Sequence, residues 1–194
     1  MPKPSRSKND SKVREDDSDS FGLLDILRVA GGLLLINAVL SYWFTSTSTW
    51  GYDGRWLDPR YVHFRTLGHP VTLSEGELSL YNGSDPSLPI YIAIDGRVYD
   101  VTKSRSTYGP GGSYSFFSGK DGARAFVTGC FNKPDEFTHD LRGLDEQEAR
   151  QDVQEWQDFY QNHKRYWYVG QVLHEELTGE IPESCEHMKF PGHH

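Results

Sequence analysis

Residues 97–131 carry the strongest signals in this sequence and read RVYDVTKSRSTYGPGGSYSFFSGKDGARAFVTGCF. The stretch opens as a strand, turns at Gly-Pro-Gly-Gly (109–112) between Tyr108 and Tyr114, and then favours a short helix. Glycine lets a backbone approach a flat ligand closely, and aromatic side chains provide apolar walls for such a ligand. We therefore predict that this stretch forms half of a ligand pocket. Ordinary packing of a domain core is the alternative.

The segments on either side predict a small mixed sheet. Residues 90–94 (IYIAI) have the uninterrupted apolar character of a buried strand. Asp95-Gly96 is a strong hairpin signal, and a returning strand is predicted over 97–101. Another strand is predicted within 164–173. The predicted fold class is α+β, with short helices forming the walls of a pocket beside the sheet.

Three helices are predicted to accompany these strands. Ser74 and Glu77 have the spacing of a capping box, which would open a short helix ending near Tyr81. A second short helix is predicted over 122–128. The longest helix is predicted over 145–162, and it carries an apolar stripe at helical spacing made of Ala149, Val153, Trp156 and Tyr160.

The N-terminal segments predict a membrane anchor. Residues 1–20 are polar and too poor in apolar groups to fold, so we expect disorder there. Residues 21–44 are long and apolar enough for one transmembrane helix, with a buried core helix as the alternative. A juxtamembrane linker (45–69), the folded domain (70–177) and a tail (178–194) are predicted to follow. The basic residues before the helix favour a cytosolic N-terminus and a domain in a lumen.

Composition limits the partners and the redox chemistry of the chain. The net charge is -8, so the chain lacks the basic surface that binding to phosphate backbones requires, and nucleic acid is not expected as a partner. The two cysteines, Cys130 and Cys185, are too few for a cysteine metal site. They would form one disulfide if the domain faces an oxidising compartment. Otherwise each would be a small buried hydrophobic residue.

Near the turn, the chain offers tyrosine rather than histidine as a ligand for iron. A haem pocket needs an apolar slot and an axial ligand, usually His, Met, Cys or Tyr. None of the eight histidines lies in the aromatic, glycine-rich stretch, and each is expected to be solvent-exposed. Tyr108 and Tyr114 flank the turn, and Arg165 would supply a cation that favours a phenolate. The alternative is that both tyrosines are core residues with satisfied hydroxyl groups.

From about Val71 to Leu173, the sequence resembles the cytochrome b5-like haem/steroid-binding domain, in its membrane-associated progesterone receptor branch. The resemblance rests on the run IYIAIDGRVYDVTKSRSTYGPGGSYSFFSGKDGARAF, within which VYDVT, YGPGGSY and FSGKDGARAF are the specific pieces. The AFVTG run and the later YWYVG look most similar to the neuferricin subgroup. The resemblance covers a little over half of the chain.

This resemblance implies a particular haem site. Ordinary cytochrome b5 has a histidine before Pro-Gly-Gly, where this chain has Gly109, so the resemblance argues against a two-histidine electron carrier. In the receptor branch the tyrosine after the turn is the iron ligand, which corresponds to Tyr114. Tyr108 and a basic residue on the last strand, Arg165 here and often lysine in relatives, would hydrogen-bond its oxygen. The implied cofactor-binding set is Tyr108, Gly111, Gly112, Tyr114, Phe117, Arg165 and Tyr166.

The function that the resemblance implies is haem binding at a membrane. The expected cofactor is ferric haem b, held non-covalently and five-coordinate, in a single-pass protein of the endoplasmic reticulum that supports P450 or sterol metabolism or haem handling. A sterol ligand and a haem-mediated homodimer belong to the same expectation. The alternatives are a steroid-binding or adaptor module without stable haem, and an electron-transfer partner of a P450. An enzyme is not expected, because neither a nucleophile–base pair nor a cofactor motif is recognisable.

Overall fold

The computed structural model describes residues 22–183 and Cys185, and it divides the chain into two units, 1–52 and 53–194. The first unit contains α1 (Leu23–Thr45). A helix of its 23 residues is about 35 Å long, enough to cross a hydrocarbon core of about 30 Å. Its mean hydropathy is 2.0, and its apolar side chains are exposed. By length and composition α1 is able to span a membrane, as predicted for 21–44, whereas the predicted disorder of residues 1–20 lies outside the described residues.

The residues after α1 fold back onto its last turn. Ser46 adopts a left-handed conformation (φ 55°), and its N–H donates to Tyr42 O at 2.8 Å. The Ser41 hydroxyl donates to Thr47 O at 2.7 Å and accepts from Trp50 N at 2.6 Å. These bonds occupy backbone groups near the point where a helix leaves its last carbonyls unpaired, so α1 has a defined C-terminal end.

The second unit begins earlier in the chain than the sequence predicts. The predicted linker (45–69) contains α2 (Pro59–Leu67), which is capped by the Asp58 side chain. Tyr61 of α2 is only 5% exposed, and its ring lies against Trp167 with 5.3 Å between ring centroids. Burial of this aromatic pair makes residues 53–67 part of the folded domain, although their Gly- and Ser-rich surroundings are typical of a linker.

Four strands form one mixed sheet in the order β1-β4-β3-β2. They are β1 (Val71–Ser74), β2 (Tyr91–Ile94), β3 (Arg97–Asp100) and β4 (Trp167–Leu173). β2 and β3 form the predicted hairpin, in which Asp95 and Gly96 both have positive φ (48° and 80°), as a type I′ turn requires. β1 pairs with β4 in parallel and extends the sheet beyond the strands that the sequence predicts.

Four helices complete the domain: α3 (Glu75–Leu78), α4 (Arg105–Tyr108), α5 (Ala123–Thr128) and α6 (Glu146–Asn162). The predicted capping box is present at the start of α3, where Ser74 N donates to Glu77 Oε2 at 2.8 Å and Glu77 N donates to Ser74 Oγ at 3.3 Å. The Asp145 side chain accepts from the first backbone N–H groups of α6. α3 and α6 therefore begin where local capping chemistry places them.

Apolar side chains cover both faces of the sheet. Ile92, Ile94 and Tyr99 lie in the cluster that contains α5 and α6 side chains, whereas Ala93 and Val98 lie in the cluster of α2 and α3. Successive residues of a strand point to opposite faces, so a strand that is buried on both sides reads as a continuous apolar run. This explains the IYIAI sequence, and the prediction of a fully buried strand is confirmed for residues 92–94.

A buried arginine and a disulfide hold the C-terminal segment to α5. The Arg124 side chain is fully buried, and its guanidinium donates to four backbone oxygens: Asp140 O (3.0 Å), Arg142 O (2.9 Å), Pro182 O (3.3 Å) and Glu183 O (3.3 Å). Cys130 and Cys185 form a disulfide, with their Cα atoms 6.5 Å apart. Of the two alternatives for the cysteines, the structure contains the bridge. The described part of the predicted tail is thus attached to the domain.

Candidate functional site

An aromatic cavity of about 300 Å³ lies among α4, α5 and α6. Four of the seven predicted site residues line it: Tyr108, Tyr114, Phe117 and Tyr166. Ligand pockets typically measure about 300–1,000 Å³ and have mostly apolar or aromatic walls with a few polar groups. The cavity has this character, and it brings three of the predicted tyrosines around one space.

Six further residues, which are not among the predicted site residues, complete the wall: Thr107, Phe126, Phe131, Trp156, Phe159 and Tyr160. The apolar stripe of α6 was the available signal for Trp156 and Tyr160, because it predicts which face of that helix packs on the domain. Trp156 Nε1 donates to Phe126 O at 3.0 Å and so fixes α6 against α5. Phe131 follows α5 in an irregular segment, and nothing in the local sequence indicates its position.

The glycine turn sets the position of Tyr114. Gly112 N donates to Gly109 O at 2.9 Å, and Gly111 has φ 82°, as a type II turn requires. Beyond the turn, Tyr114 N donates to Thr107 O at 2.9 Å. Gly111 and Gly112 do not line the cavity themselves. Their conformation instead returns the backbone to α4, so that the Tyr114 side chain lies in the cavity wall.

Replacing Gly112 with alanine is expected to disturb this path. A Cβ at residue 112 would lie 2.3 Å from Thr107 O, the same oxygen that accepts from Tyr114 N. We expect the free energy of unfolding to fall by about 1–3 kcal/mol, the usual cost of overpacking. Gly111→Ala is the matched control, because its Cβ would meet nothing within 4 Å and only its positive φ would cost about 1 kcal/mol. Chemical denaturation measures both, and a smaller loss for Gly112→Ala than for Gly111→Ala would contradict the prediction.

Tyr114 presents an unpaired phenol on the cavity wall. Among residues 22–183 and Cys185, no group forms a hydrogen bond with Tyr114 Oη, and the residue is 40% exposed. Its ring is held by aromatic neighbours, with 6.2 Å from its centroid to those of Tyr108, Phe117 and Phe131. The ring is therefore fixed while its oxygen is available to a ligand.

The other phenols of the wall are already paired. Tyr108 Oη and Tyr160 Oη lie 2.7 Å apart in a buried hydrogen bond, and Tyr166 Oη donates to Ser104 Oγ at 2.9 Å. Burial raises the pKa of both Tyr108 and Tyr160, so both stay protonated at neutral pH. The family resemblance implies that Tyr108 hydrogen-bonds the Tyr114 oxygen, and this stays a prediction. In the structure Tyr108 pairs with Tyr160, and a hydroxyl that accepts one bond still has its own proton to donate.

Arg165 does not line the cavity. Its guanidinium faces the Asp53 carboxylate at 3.8 Å, and its Nε has no hydrogen-bond partner within the described part of the chain. Arg165 lies in a bend between α6 and β4, and its side chain points toward Asp53 while Tyr166 lies on the cavity wall. The contact between Arg165 and the ligand oxygen stays a prediction, and the placement of Arg165 beside Asp53 does not favour it.

Histidine is absent from the cavity wall across the described residues. His163 lies close by, stacked on Tyr166 with 3.8 Å between ring centroids, and its Nδ1 accepts from Arg165 N at 3.2 Å. Burial, followed by the positive charges of Arg165 and Lys164, lowers the pKa of His163. His163 is therefore neutral at neutral pH and supports the back of Tyr166.

A model of the cytochrome b5-like heme/steroid binding domain matches residues 74–172, just over half of the chain. The chain belongs to this family. Its cytochrome b5-like domain contains the whole aromatic cavity, from Thr107 to Tyr166. The mixed sheet and the flanking helices are the fold that this family membership predicts, so the α+β assignment is confirmed.

Relatives of this cytochrome b5-like chain include membrane-associated progesterone-binding proteins. Neuferricin of Danio rerio is 39% identical over 136 residues, which are 69% of this chain and 49% of the relative. Membrane-associated progesterone-binding protein 4 of Arabidopsis thaliana is 45% identical over 100 residues, which are 52% of this chain and 39% of the relative. The chain thus spans about half or less of the length of these relatives.

One solved structure in the comparison is an Arabidopsis thaliana protein described as having a cytochrome b5 like fold. It is 40% identical, covers 55% of this chain and 94% of its own, and superposes with a TM-score of 0.47. The predicted membership of the membrane-associated progesterone receptor family is confirmed by the family match and the named relatives.

Proposed function

We propose that this chain is a membrane-anchored haem-binding protein in which Tyr114 is the ligand of ferric iron. The observation that carries the proposal is the Tyr114 hydroxyl, which lies on an aromatic wall and is unpaired within the described residues. A bound metal cation favours ionisation of a phenol, whose pKa is otherwise near 10. Anchorage is supported by the length and hydropathy of α1 and by the membrane-associated name of one relative.

Each residue of the predicted set except Arg165 has a role in this proposal. Ferric haem b, bound non-covalently, would supply a flat apolar ring and a Lewis-acidic iron with a second face open. Tyr114 would hold the iron, Phe117 and Tyr166 would pack against the ring, and Tyr108 would donate to the Tyr114 oxygen. The turn glycines keep Tyr114 in place. Because phenolate favours ferric iron, the site suits haem handling or sensing better than rapid electron transfer, and we propose binding rather than catalysis.

The cellular setting is part of the same proposal. We place the chain in the endoplasmic reticulum as a single-pass protein that supports P450 or sterol metabolism or supplies haem. Two residues of the wall, Tyr114 and Phe159, are 40% and 49% exposed, so part of the wall faces solvent. Such an opening would allow two copies to pair through their bound haems.

The test uses the full chain in detergent, mixed with haemin, and records its absorption spectrum. We expect a Soret band together with a phenolate-to-iron charge-transfer band in the wild type. Tyr114→Phe should lose the charge-transfer band and at least about tenfold in affinity, since removing even an outer partner of a metal ligand costs about 10- to 100-fold.

Tyr166→Phe is the matched control, because it changes a second phenol of the same wall that is paired with Ser104. This control should keep the charge-transfer band. Retention of the band in Tyr114→Phe would show that another group is the ligand. Failure of the wild type to bind haemin would overturn the haem proposal.

Steroid binding is the second candidate function. It is favoured by the wall itself, in which nine of ten residues are aromatic, a surface suited to a rigid apolar ring system. The family description includes both ligands. Equilibrium dialysis of the haem-free chain against a labelled sterol, with and without haemin, separates the two. Sterol binding that survives Tyr114→Phe and excludes haemin would make the steroid the ligand of this cavity.

A further inference from the structure

A second cluster of metal-binding side chains lies outside the aromatic cavity. Glu75 Oε1 is 2.6 Å from His174 Nδ1 and 3.3 Å from His139 Nδ1. The three atoms lie within 4.8 Å of one another. His139 and His174 are 18% and 17% exposed, which corrects the expectation that these two histidines are solvent-exposed. Two imidazoles and one carboxylate are a common ligand set for zinc.

The fold brings these residues together from distant parts of the chain. The parallel register of β1 and β4 pairs Ser74 with Leu173, so the next residues, Glu75 and His174, are neighbours. His139 arrives from the loop between α5 and α6, and its ring stacks on that of His174 at 3.7 Å. The cluster therefore joins three segments that only the folded domain can place together.

Asp121 fixes the orientation of His174. Its Oδ2 lies 2.9 Å from His174 Nε2 and accepts from Gly96 N at 2.7 Å, while its Oδ1 accepts from Asp95 N and Ala123 N at 3.0 Å each. An imidazole that donates its Nε2 proton to a carboxylate presents Nδ1 as the electron pair for a metal. Asp121 is only 3% exposed in its side chain, so this partner is rigid.

Without a metal, His174 is held between two carboxylates. Its Nδ1 is within hydrogen-bond distance of Glu75 Oε1 at 2.6 Å, and its Nε2 is within hydrogen-bond distance of Asp121 Oδ2 at 2.9 Å. A second imidazole nitrogen, His139 Nδ1, faces the same Glu75 oxygen at 3.3 Å. A Zn²⁺ ion would replace the proton between His174 Nδ1 and Glu75 and would accept electron pairs from all three atoms.

We propose that Glu75, His139 and His174 bind a Zn²⁺ ion, with Asp121 as the positioning residue for His174. The fourth position of the ion would be left to water or to an oxygen ligand from the adjoining cavity of about 230 Å³, which Glu75, Asp121 and His139 help to line. Lys120 lines the same cavity, and its positive charge is opposite to that of the Glu75 and Asp121 carboxylates. The ion would tie the start of α3, the end of β4 and the α5–α6 loop together.

Zinc binding requires one movement. The two imidazole rings are stacked with an angle of 13° between their planes, and ring nitrogens bind a metal in the plane of the ring. One ring must therefore tilt out of the stack. We expect the His139 ring to move. Among the described residues its side chain has a polar contact with Glu75 alone, whereas the His174 ring is also held by Asp121.

The test measures Zn²⁺ binding to the haem-free full chain in detergent by calorimetric titration after removal of metal. His187, His193 and His194 are outside the described residues, so a parent with these three changed to alanine removes their contribution. We expect this parent to bind one Zn²⁺. His139→Ala and His174→Ala should each weaken binding by at least about tenfold.

Two comparisons separate a specific site from general histidine binding. His63→Ala and His69→Ala change exposed histidines elsewhere in the domain and should leave the affinity unchanged. X-ray absorption at the zinc edge of the parent should show two imidazoles and oxygen ligands at about 2.0–2.2 Å. This measurement does not depend on the folding of any variant.

The proposal is independent of haem binding, since its readout is metal affinity in a haem-free chain. Equal Zn²⁺ affinity in the parent, His139→Ala and His174→Ala would overturn it. An absorption spectrum without two imidazole ligands, or the absence of saturable binding to the parent, would do the same.

Discussion

Replacing Arg124 with methionine is expected to lower the free energy of unfolding by about 3–5 kcal/mol, the usual cost of breaking a buried ion pair by removing one partner. Arg124 is fully buried, and its Nε lies 3.4 Å from Glu136 Oε2. Glu136 is 3% exposed, and the Thr128 hydroxyl donates to the same oxygen at 2.7 Å. Without the arginine, a buried carboxylate would lose its counter-charge.

The loss reaches beyond the ion pair because the guanidinium also holds four backbone oxygens of the 140–142 and 182–183 segments. Chemical denaturation of Arg124→Met, Glu136→Gln and the double variant measures the coupling. Neighbouring partners are not additive, so the double variant should lose less than the sum of the single losses. A single-variant loss below about 1 kcal/mol would mean that Arg124 is replaceable by packing alone.

Removing the Cys130–Cys185 disulfide is expected to cost about 2–4 kcal/mol of unfolding free energy. The bridge links residues 55 positions apart, and in the chain-entropy account such a cross-link restricts the unfolded chain more than the folded one. Cys130→Ser/Cys185→Ser would therefore unfold at a lower denaturant concentration than the oxidised wild type.

A reductant provides the internal control for this prediction. Reduction should bring the wild type down to the stability of the double serine variant and leave that variant unchanged. Phe131 follows Cys130 and lines the aromatic cavity, so haemin affinity should be measured on the same samples. Identical denaturation curves for oxidised and reduced wild type would show that the bridge does not stabilise the domain.

Local signals made several elements predictable. Asp95-Gly96 specifies its own turn through positive φ, and the Ser74–Glu77 capping box needs only residues three apart. The position of Tyr114 after a glycine turn is likewise a property of a short stretch, so its place on the cavity wall could be anticipated.

Features that depend on contacts between distant segments were not predictable in this way. Tyr61 is buried because its ring packs on that of Trp167, which is distant in the sequence. This contact attaches the segment predicted as a linker to the domain. The direction of the Arg165 side chain likewise depends on a distant residue, because its guanidinium faces Asp53. Phe131 and the His139–His174 stack likewise require the α5–α6 loop to be in its folded position.

In the single-pass arrangement proposed above, the disulfide also bears on which side of the membrane the cavity would lie. Such bridges persist in oxidising compartments and are rare where glutathione keeps thiols reduced. Because the domain follows α1 in the chain, a domain in an oxidising lumen would leave residues 1–22 on the cytosolic face, which is the orientation that the basic residues before α1 favour. In that orientation, a partner that meets the aromatic cavity has to be a lumenal protein or the lumenal part of a membrane protein.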